Sequence, residues 1–416
     1  MTYSEQMLHA LENEELESAD QLLNQALQHD SADVLAELAE QLQNLGFLAE
    51  AKKVYVKLIH DAPDQAIYYL PLAEIAIEDD DIDQAFDYLE KIPADSEHYP
   101  ESLLVTADLY QVLGIPEVSE AKLLQAKALL PEEPMITFAL AELHFSNNQL
   151  GEAIDEYGQL EKQGITELVG ISLDERIGTA YSLMGGFEEA IPFLKQALAE
   201  EKTADRLFQL AFTYYQLHDA QNAITYFEEL AALDPHYQSL YFYLATALKD
   251  EERIEEALTA AETGIKENPY QVELLHLASE LAYRLHDRTL AENYLQDALV
   301  VGEKTDETRL TLSNLYLNEG EYEKAIDMIQ QMDELDNPYA EWNLAQAYNE
   351  LEDFEQAAKA FKAAAESLQH EPDFLKQYGL FLREDGKLTE ARDVLTAYLA
   401  LEPGDLEILS LLEDLN

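Results

Sequence analysis

The sequence predicts an all-α fold made of one repeated unit, a pair of antiparallel helices. Three observations predict it: apolar residues recur every three or four positions, an alanine recurs at intervals of 32 to 37 residues, and turn-forming residues separate the segments. The recurring alanine occurs twelve times, at Ala19, Ala51, Ala85, Ala121, Ala153, Ala190, Ala223, Ala257, Ala291, Ala325, Ala357 and Ala391.

The stretch from Leu310 to Pro338 shows the unit most clearly. Apolar residues with helical spacing lie on both sides of a break at Gly320, which suits the left-handed residue that ends a helix. Pro338 is expected to stop the second helix. Helices of about a dozen residues are marginal alone in water, so each pair needs neighbours.

The two helices of a unit are expected to meet at small residues. Ser313 and Ala325 lie twelve positions apart, and a large residue usually follows the alanine by four positions. Small side chains let the helix axes approach while larger ones fill the flanks. One unit departs from the twelve-residue step: Ala107 and Ala121 lie fourteen apart, which predicts a longer turn there.

This pattern and its period near 34 resemble the tetratricopeptide repeat family, over essentially the whole chain. The resemblance implies a right-handed superhelical solenoid of about twelve antiparallel helix-turn-helix repeats plus a C-terminal capping helix. It points to a long, acidic, repeat-only protein of bacterial type. Because the family is a scaffold for many partners, the resemblance supplies no specific function.

The repeats divide the chain into four parts. Five repeats occupy 1–160, a longer inter-repeat loop occupies 161–170, seven repeats occupy 171–404 and a capping helix occupies 405–416. The 161–170 loop holds extra residues and two glycines, so it is the best candidate for a bend; a longer loop without motion is the alternative. The last helix either covers the final repeat or docks on another chain.

The chain is strongly acidic. It has 85 aspartates and glutamates against 25 lysines and arginines, a net charge of −60, and no lysine or arginine before Lys52 or after Arg392. A negative charge of this size repels phosphate backbones and anionic membranes, which argues against direct nucleic-acid binding. Two interpretations remain open: a partner with basic patches is drawn in electrostatically, or the acidic face only keeps the protein soluble.

The sequence also predicts a cytoplasmic protein without a membrane span. Cysteine is absent, which excludes disulfides and thiolate chemistry. No apolar run approaches the roughly 18 to 20 residues that cross a bilayer. Met1–Ala10 lacks the positive residues and apolar block of a signal peptide.

No catalytic, cofactor-binding or metal-binding pattern is found, so the chain is predicted not to be an enzyme. A partial match to an EF-hand calcium loop is rejected because Gln84 stands where the loop needs glycine, and because Ala85 falls in a predicted helix. An acidic turn before that helix is favoured instead. The matching carboxylates are Asp79, Asp81, Asp83, Asp87 and Glu90.

In the tetratricopeptide family the first helices line a concave groove, and counting from each alanine places a series of aromatic residues on that face. Aromatic anchors in a groove are what a peptide or helix binds to. The alternative is that several of them pack between adjacent helices. The predicted partner-binding residues are Phe138, Phe145, Phe208, Phe212, Tyr215, Phe242, Tyr283 and Trp342.

Some members of the family clamp a C-terminal carboxylate with asparagines and cations. Asn314 and Asn343 occupy the two asparagine positions, but Leu310, Asp373 and Gln377 occupy the cation positions. Without positive charge the clamp is expected to fail.

The leading functional hypothesis is therefore a non-enzymatic scaffold that binds a protein or peptide in the groove. One alternative is a peptide-sensing regulatory switch, and another is an accessory subunit that recruits an enzyme. Partner capture at low and high salt separates attraction to the acidic surface from binding by the aromatic groove.

Overall fold

Paired helices make up nearly all of the structure, a computed structural model that describes residues 1–334 and 336–414. The chain divides into two compact units, Met1–Lys202 (unit 1) and Thr203–Asn416 (unit 2). The all-α fold class predicted from the repeats is confirmed, with twelve helix pairs and one terminal helix in the described residues.

Unit 1 contains six helix pairs, a 3-10 turn at Ala66–Tyr68 and one short β-hairpin. The strands are β1 Glu167–Leu168 and β2 Ile171–Ser172. The helices are α1 Tyr3–Glu12, α2 Leu16–His29, α3 Ala32–Asn44, α4 Leu48–Asp61, α5 Tyr69–Glu78, α6 Ile82–Leu89, α7 Tyr99–Val112, α8 Pro116–Leu129, α9 Pro134–Ser146, α10 Leu150–Lys162, α11 Leu173–Leu183 and α12 Phe187–Glu200.

The described residues of unit 2 form six further pairs and the terminal helix. Its helices are α13 Ala204–Gln216, α14 Ala220–Leu233, α15 Leu240–Asp250, α16 Ile254–Glu267, α17 Val272–Arg284, α18 Arg288–Val301, α19 Thr305–Asn318, α20 Tyr322–Gln330, α21 Pro338–Glu350, α22 Phe354–Ala364, α23 Pro372–Glu384, α24 Leu388–Leu401 and α25 Leu406–Asp414.

Within each unit the helices stack in chain order. The first, odd-numbered helix of a pair packs on the second, and most second helices pack on the first helix of the next pair. Several adjacent first helices also touch directly: α1 with α3 and α5 with α7 in unit 1, and α13 with α15, α15 with α17 and α19 with α21 in unit 2. We call the surface formed by the first helices the first-helix face.

One turn geometry joins the two helices of every pair. A residue with positive φ lies five positions before the recurring small residue of each second helix. Glycine fills the position in five pairs; in seven a side chain is held in the left-handed region, which L-residues adopt at a cost. These residues are Glu14, Gly46, Asp80, Gly114, Asn148, Gly185, His218, Glu252, His286, Gly320, Glu352 and Gly386.

The constant turn corrects one sequence prediction. The recurring position of the fourth pair is Ser119, which is fully buried, whereas Ala121 is exposed. Ser119 lies twelve residues after Ala107, and Leu123, four further on, is 1% exposed. The predicted longer turn is therefore wrong. A serine replaced the expected alanine, and the nearby Ala121 was mistaken for it.

The predicted contact between small residues is tightest where glycine replaces alanine on the first helix. A β-carbon on Gly178 would lie 2.6 Å from Cδ2 of Leu194, and one on Gly379 would lie 2.4 Å from Cδ2 of Leu395. Both leucines are buried and stand four residues after the recurring alanine. The leucine thus occupies the space that the missing side chain leaves.

Prolines mark the ends of second helices, with one exception. Pro63, Pro235, Pro269 and Pro403 each follow a helix by two residues. Pro338 was expected to stop the second helix of its pair, and this prediction is wrong because α20 ends earlier, at Gln330. Pro338 instead begins α21, where its missing N–H is not needed, and the Asn337 side chain caps that helix.

The segment 161–170 contains part of the β-hairpin. Glu167 pairs with Ser172 and Leu168 with Ile171, and the two residues between the strands, Val169 and Gly170, both have positive φ. Positive φ at both central residues is the requirement of a type I′ turn. Whether this segment bends stays a prediction. The two compact units divide elsewhere, after Lys202.

Helix α25 covers the last pair. Asp405 accepts hydrogen bonds from the backbone N–H groups of Glu407 and Ile408 and so caps this helix. The hydrogen bonds that it accepts from Lys376 and the Tyr398 hydroxyl lower the pKa of Asp405 to about 2. Ile408 is buried, but Leu406 remains 78% exposed. The last two residues of the predicted 405–416 helix lie outside the described residues.

Polar side chains join neighbouring pairs at one-repeat spacing. In unit 2, Lys304 contacts Glu273 at 2.6 Å and Arg284 contacts Glu252 at 2.6 Å. In unit 1, Arg176 binds Glu142 through two nitrogens, each at 2.9 Å. Such pairs add little stability at a surface, but they occupy many of the few basic residues.

Two glycines of unit 1 provide a matched test of the hairpin contact. Gly158→Ala, in the interior of α10 with open space around it, is expected to raise the free energy of unfolding by about 1 kcal/mol through helix propensity. Gly178→Ala also improves helix propensity, but its β-carbon collides with Leu194. This variant is therefore expected to lower the free energy of unfolding by about 1 kcal/mol. Urea unfolding followed by circular dichroism measures both changes. Stabilisation by both variants would contradict the contact.

A second test concerns the turn of unit 2 at Glu352, whose φ is +59°. Glu352→Gly is expected to raise the free energy of unfolding by about 1 kcal/mol because glycine adopts this conformation without strain. Glu352→Ala is the matched control, since it removes the same charge but keeps the β-carbon. Equal urea midpoints for the glycine and alanine variants would refute the explanation.

Candidate functional site

The eight predicted partner-binding aromatic residues fall into three environments on the first helices. In unit 1, Phe138 is only 7% exposed and packs against Tyr157, with ring centroids 6.3 Å apart. Phe145 is half-buried, and the guanidinium of Arg176 lies 5.0 Å from its ring centroid. The ring of Phe138 therefore leaves little surface for a partner. Binding by the eight residues stays a prediction.

Four of the predicted residues form one cluster in unit 2. Phe208, Phe212 and Tyr215 on α13 and Phe242 on α15 all lie around the ring of Tyr243, at centroid distances of 5.0 to 5.8 Å. All five are half-buried. Sequence reasoning missed Tyr243 because only positions assigned to the inner face were counted. The signal was an aromatic residue directly beside Phe242.

The other two residues lie further along unit 2. Tyr283 is half-buried and packs against the core around Leu295 and Leu312. Trp342, on α21, is also half-buried, and its ring meets that of Phe374 edge-on at 5.8 Å. Its Nε1 donates a hydrogen bond of 2.8 Å to Gln377 on α23. These contacts fix the orientation of the indole.

Trp342 lines a groove that three consecutive first helices form. Two cavities of about 360 and 500 Å³ lie along α19, α21 and α23, and both are lined by Leu317, Asn318, Gln346 and Gln377. We call the two together the Trp342 groove. Six carboxamides line it: Asn314, Asn318, Asn343, Gln346, Asn349 and Gln377.

Some of these carboxamides hold the helices together, and others face only the groove. Asn343 is buried and donates to Asn314 at 2.6 Å and to the Ser313 hydroxyl at 3.3 Å. In the described part of the chain, the side chains of Asn318 and Gln346 form no hydrogen bond. A carboxamide both donates and accepts, so it matches the C=O and N–H of a peptide backbone.

The groove lacks positive charge. Neither lysine nor arginine is among its lining residues within 1–334 and 336–414, whereas Asp373, Glu350 and Glu384 are. The positions where a carboxylate clamp needs cations are Leu310, Asp373 and Gln377, and all three line the cavity of 360 Å³. A partner carboxylate therefore meets neutral amides and like charge.

A second feature, in unit 1, escaped sequence reasoning. Glu40, Glu74, Asp108 and Glu142 lie 34 residues apart on α3, α5, α7 and α9, each directly after the small residue of its first helix. We call these four residues the acidic ladder. Glu142 binds Arg176 and accepts a hydrogen bond from the Tyr157 hydroxyl. The signal in the sequence is the 34-residue spacing of the four acids.

Glu74 and Asp108 of the acidic ladder are partly desolvated. Among described residues, Glu40, Glu74 and Asp108 have no ion-pair partner; Glu74 accepts a hydrogen bond from Gln43 at 2.9 Å. Desolvation, with the charge of Glu74, raises the pKa of Asp108 to about 6, and desolvation also raises the pKa of Glu74. Water reaches both carboxylates, but the neighbouring protein displaces part of their hydration.

No group of histidine and acidic side chains in the described residues is arranged to hold a metal ion. Asp79 and its neighbours do not wrap around a common point, because α6 begins at Ile82 and Asp81 caps it.

A separate finding is that no helix within 1–334 and 336–414 is long and apolar enough to cross a membrane.

The raised pKa of Asp108 predicts a pH effect on unit 1. Between its ordinary value and about 6, the folded chain keeps a proton that the unfolded chain has released, so stability falls as pH rises through this window. Asp108→Asn removes this loss and is expected to raise the urea midpoint more at pH 7 than at pH 5. Asp95→Asn, in an exposed turn, is the charge-matched control. Equal gains from the two variants would contradict the prediction.

Families of tetratricopeptide repeats match several stretches of the chain. Two YpiA-like families match: the one described as C-terminal tetratricopeptide repeats at residues 338–405, which contain Trp342, and the one described as tetratricopeptide repeats at 111–165. General tetratricopeptide repeat families match 208–272 and 307–339. The ARM repeat of tetratricopeptide repeat protein 21 matches 4–112.

Two solved structures are similar over most of the chain. A crystal structure of the APC/C hetero-tetramer Cut9-Hcn1 covers 98% of this chain and 95% of its own, with a TM-score of 0.43 and 13% identity. Yeast Tom70 covers 92% of this chain and 95% of its own, with a TM-score of 0.41 and 14% identity.

A bacterial protein is related to most of the sequence. The TPR repeat-containing protein YpiA of Bacillus subtilis (strain 168) is 36% identical over 338 residues, which are 81% of this chain and 80% of that protein. This degree of identity, together with the two YpiA-like matches and the stacked helix pairs, shows that the chain belongs to the bacterial YpiA-like family of tetratricopeptide-repeat proteins.

Proposed function

We propose that this chain is a non-enzymatic cytoplasmic scaffold that binds an extended segment of a partner protein in the Trp342 groove. The observation that carries the proposal is the row of carboxamides along α19, α21 and α23. Among the described residues no group uses the side-chain donors and acceptors of Asn318 and Gln346, and an extended segment has backbone groups to match them. A helical segment satisfies its own backbone and would gain less.

Trp342 supplies the apolar contact that the carboxamides lack. Its indole is already oriented by Gln377 and Phe374, so little side-chain entropy is lost when a partner covers it. Tryptophan is among the residues that contribute most to binding energy when enclosed at an interface. The groove thus combines one oriented aromatic anchor with polar groups that set the register of a backbone.

The aromatic cluster around Tyr243 is the second binding region of the proposal. Part of the surface of four predicted residues stays exposed to solvent on α13 and α15, within unit 2. These residues are Phe208, Phe212, Tyr215 and Phe242. Partly exposed aromatic residues grouped in this way are typical of contact surfaces. Phe138 has a smaller part in the proposal because it is buried.

Charge defines the class of partner. With −60 overall and carboxylates but no cations lining the groove in the described residues, a partner with basic patches is attracted and a nucleic acid is repelled. The attraction acts on association rate and selectivity more than on affinity.

A peptide selection tests the proposed site. Peptides are selected from a random displayed library on the full chain, then measured by fluorescence anisotropy against Asn318→Ala/Gln346→Ala. The two side chains make no hydrogen bonds within the described part of the chain, so the fold is expected to persist while affinity falls about tenfold or more. Gln330→Ala/Gln356→Ala, on exposed positions of α20 and α22, is the matched control. Selected peptides that bind both double variants like the parent would refute the site.

A further inference from the structure

We propose that the part of the Trp342 groove between Trp342 and Asp373 receives a lysine or arginine side chain of the bound segment. This inference rests on the proposed function and specifies the partner chemistry of the same site. It follows from three features of the described residues: an aromatic wall, a carboxylate without a partner, and a recurring way in which this chain holds its own cations.

The aromatic wall is made by Trp342 and Tyr339. Both line the cavity of 360 Å³, and their ring centroids lie 6.5 Å apart at an angle of 40°. Tyr339 is 44% exposed and Trp342 is half-buried. Among the aromatic side chains, tryptophan attracts a cation above its ring most strongly. An aliphatic stem of lysine or arginine also packs well on such a surface.

The carboxylate is that of Asp373, which lines the same cavity. Asp373 is exposed at the start of α23 and has no ion-pair or hydrogen-bond partner among the described residues. An aspartate in the first turn is favourable for the helix dipole, which gives it one structural reason to be there. That reason does not require it to face a cavity beside the only tryptophan of the chain.

The chain holds its own cations between a ring and a carboxylate in three described places. Arg176 lies over Phe145 while it binds Glu142. Lys324 lies 5.1 Å from the Tyr316 centroid and pairs with Glu321. In the third place Lys376, 5.8 Å from the Tyr398 centroid, contacts Asp405 at 2.7 Å.

The Trp342 groove has the same two components without the cation. Trp342 and Asp373 line one cavity, and within 1–334 and 336–414 no lysine or arginine lines it. A basic side chain from outside the chain completes the arrangement that Arg176, Lys324 and Lys376 complete from within. A glutamate or aspartate of the partner would instead face Asp373 and neutral amides.

The single tryptophan gives a direct measurement. Because Trp342 is the only tryptophan among 24 tyrosines, fluorescence excited beyond the tyrosine absorption band reports on this groove alone. The probes are three capped heptapeptides of alternating threonine and valine whose central residue is lysine, norleucine or glutamate. The lysine peptide is expected to bind about fivefold more tightly than the norleucine peptide, and the glutamate peptide more weakly than both.

Two charge-matched variants separate a specific contact from general attraction to an acidic protein. Asp373→Asn is expected to bring the lysine peptide to within about twofold of the norleucine peptide. Glu323→Gln removes the same charge from an exposed position of α20 outside the groove and is expected to leave the preference unchanged. If Asp373 only stabilised the helix, Asp373→Asn would lower the melting temperature without changing the ratio of the two affinities.

The outcomes distinguish the two proposals. Binding of all three peptides with equal affinity, or a lysine preference that Asp373→Asn and Glu323→Gln reduce alike, overturns this inference and leaves the groove as a binding site. No change in tryptophan fluorescence and no binding by anisotropy with any peptide overturns both.

Discussion

The contact on which the structure depends is the meeting of a small residue on each first helix with the second helix of its pair. Gly178 against Leu194 and Gly379 against Leu395 show it in its closest form, since neither first helix has room for one more carbon. Helices of this length are not stable alone. Because of this contact and a turn of constant length, the two helices of a pair hold together. The pair then buries its remaining apolar surface on the next pair.

Stacking in this way separates structural and functional surfaces. The buried positions of a pair are used up by its own contact and by its neighbours, so the residues that differ from pair to pair lie outward or on the first-helix face. In unit 1 that face carries the acidic ladder, in which only Glu142 is neutralised by a described basic residue. In unit 2 it carries the Tyr243 cluster and the Trp342 groove. One packing rule thus supports two surfaces of different chemistry.

Most of the fold could be predicted because the same instruction is repeated. The twelve pairs and the left-handed Gly320 follow from local rules that require no knowledge of distant contacts. The errors arose where one residue type served in an unexpected role. Ser119 fills an alanine position because both side chains are small, and Pro338 starts a helix because its ring is compatible with the first turn.

The candidate site was less predictable, because it depends on which side chains remain unpaired. Trp342 was expected on the inner face, but its fixation by Gln377 requires a contact across 35 residues that no local pattern encodes. The burial of Phe138 and the central position of Tyr243 likewise depend on neighbouring helices. The acidic ladder is the opposite case, since its 34-residue spacing was readable in the sequence and was overlooked.

The central claim is that a partner segment lies along α19, α21 and α23. Side-chain amide and indole resonances of the full chain, followed by transverse-relaxation-optimised NMR during titration with a basic capped peptide, test it most directly. The account predicts that the Trp342 indole N–H and the amides of Asn318, Gln346 and Gln377 shift together. Shifts confined to amides on α20, α22 and α24, with the Trp342 resonance unchanged, would contradict it.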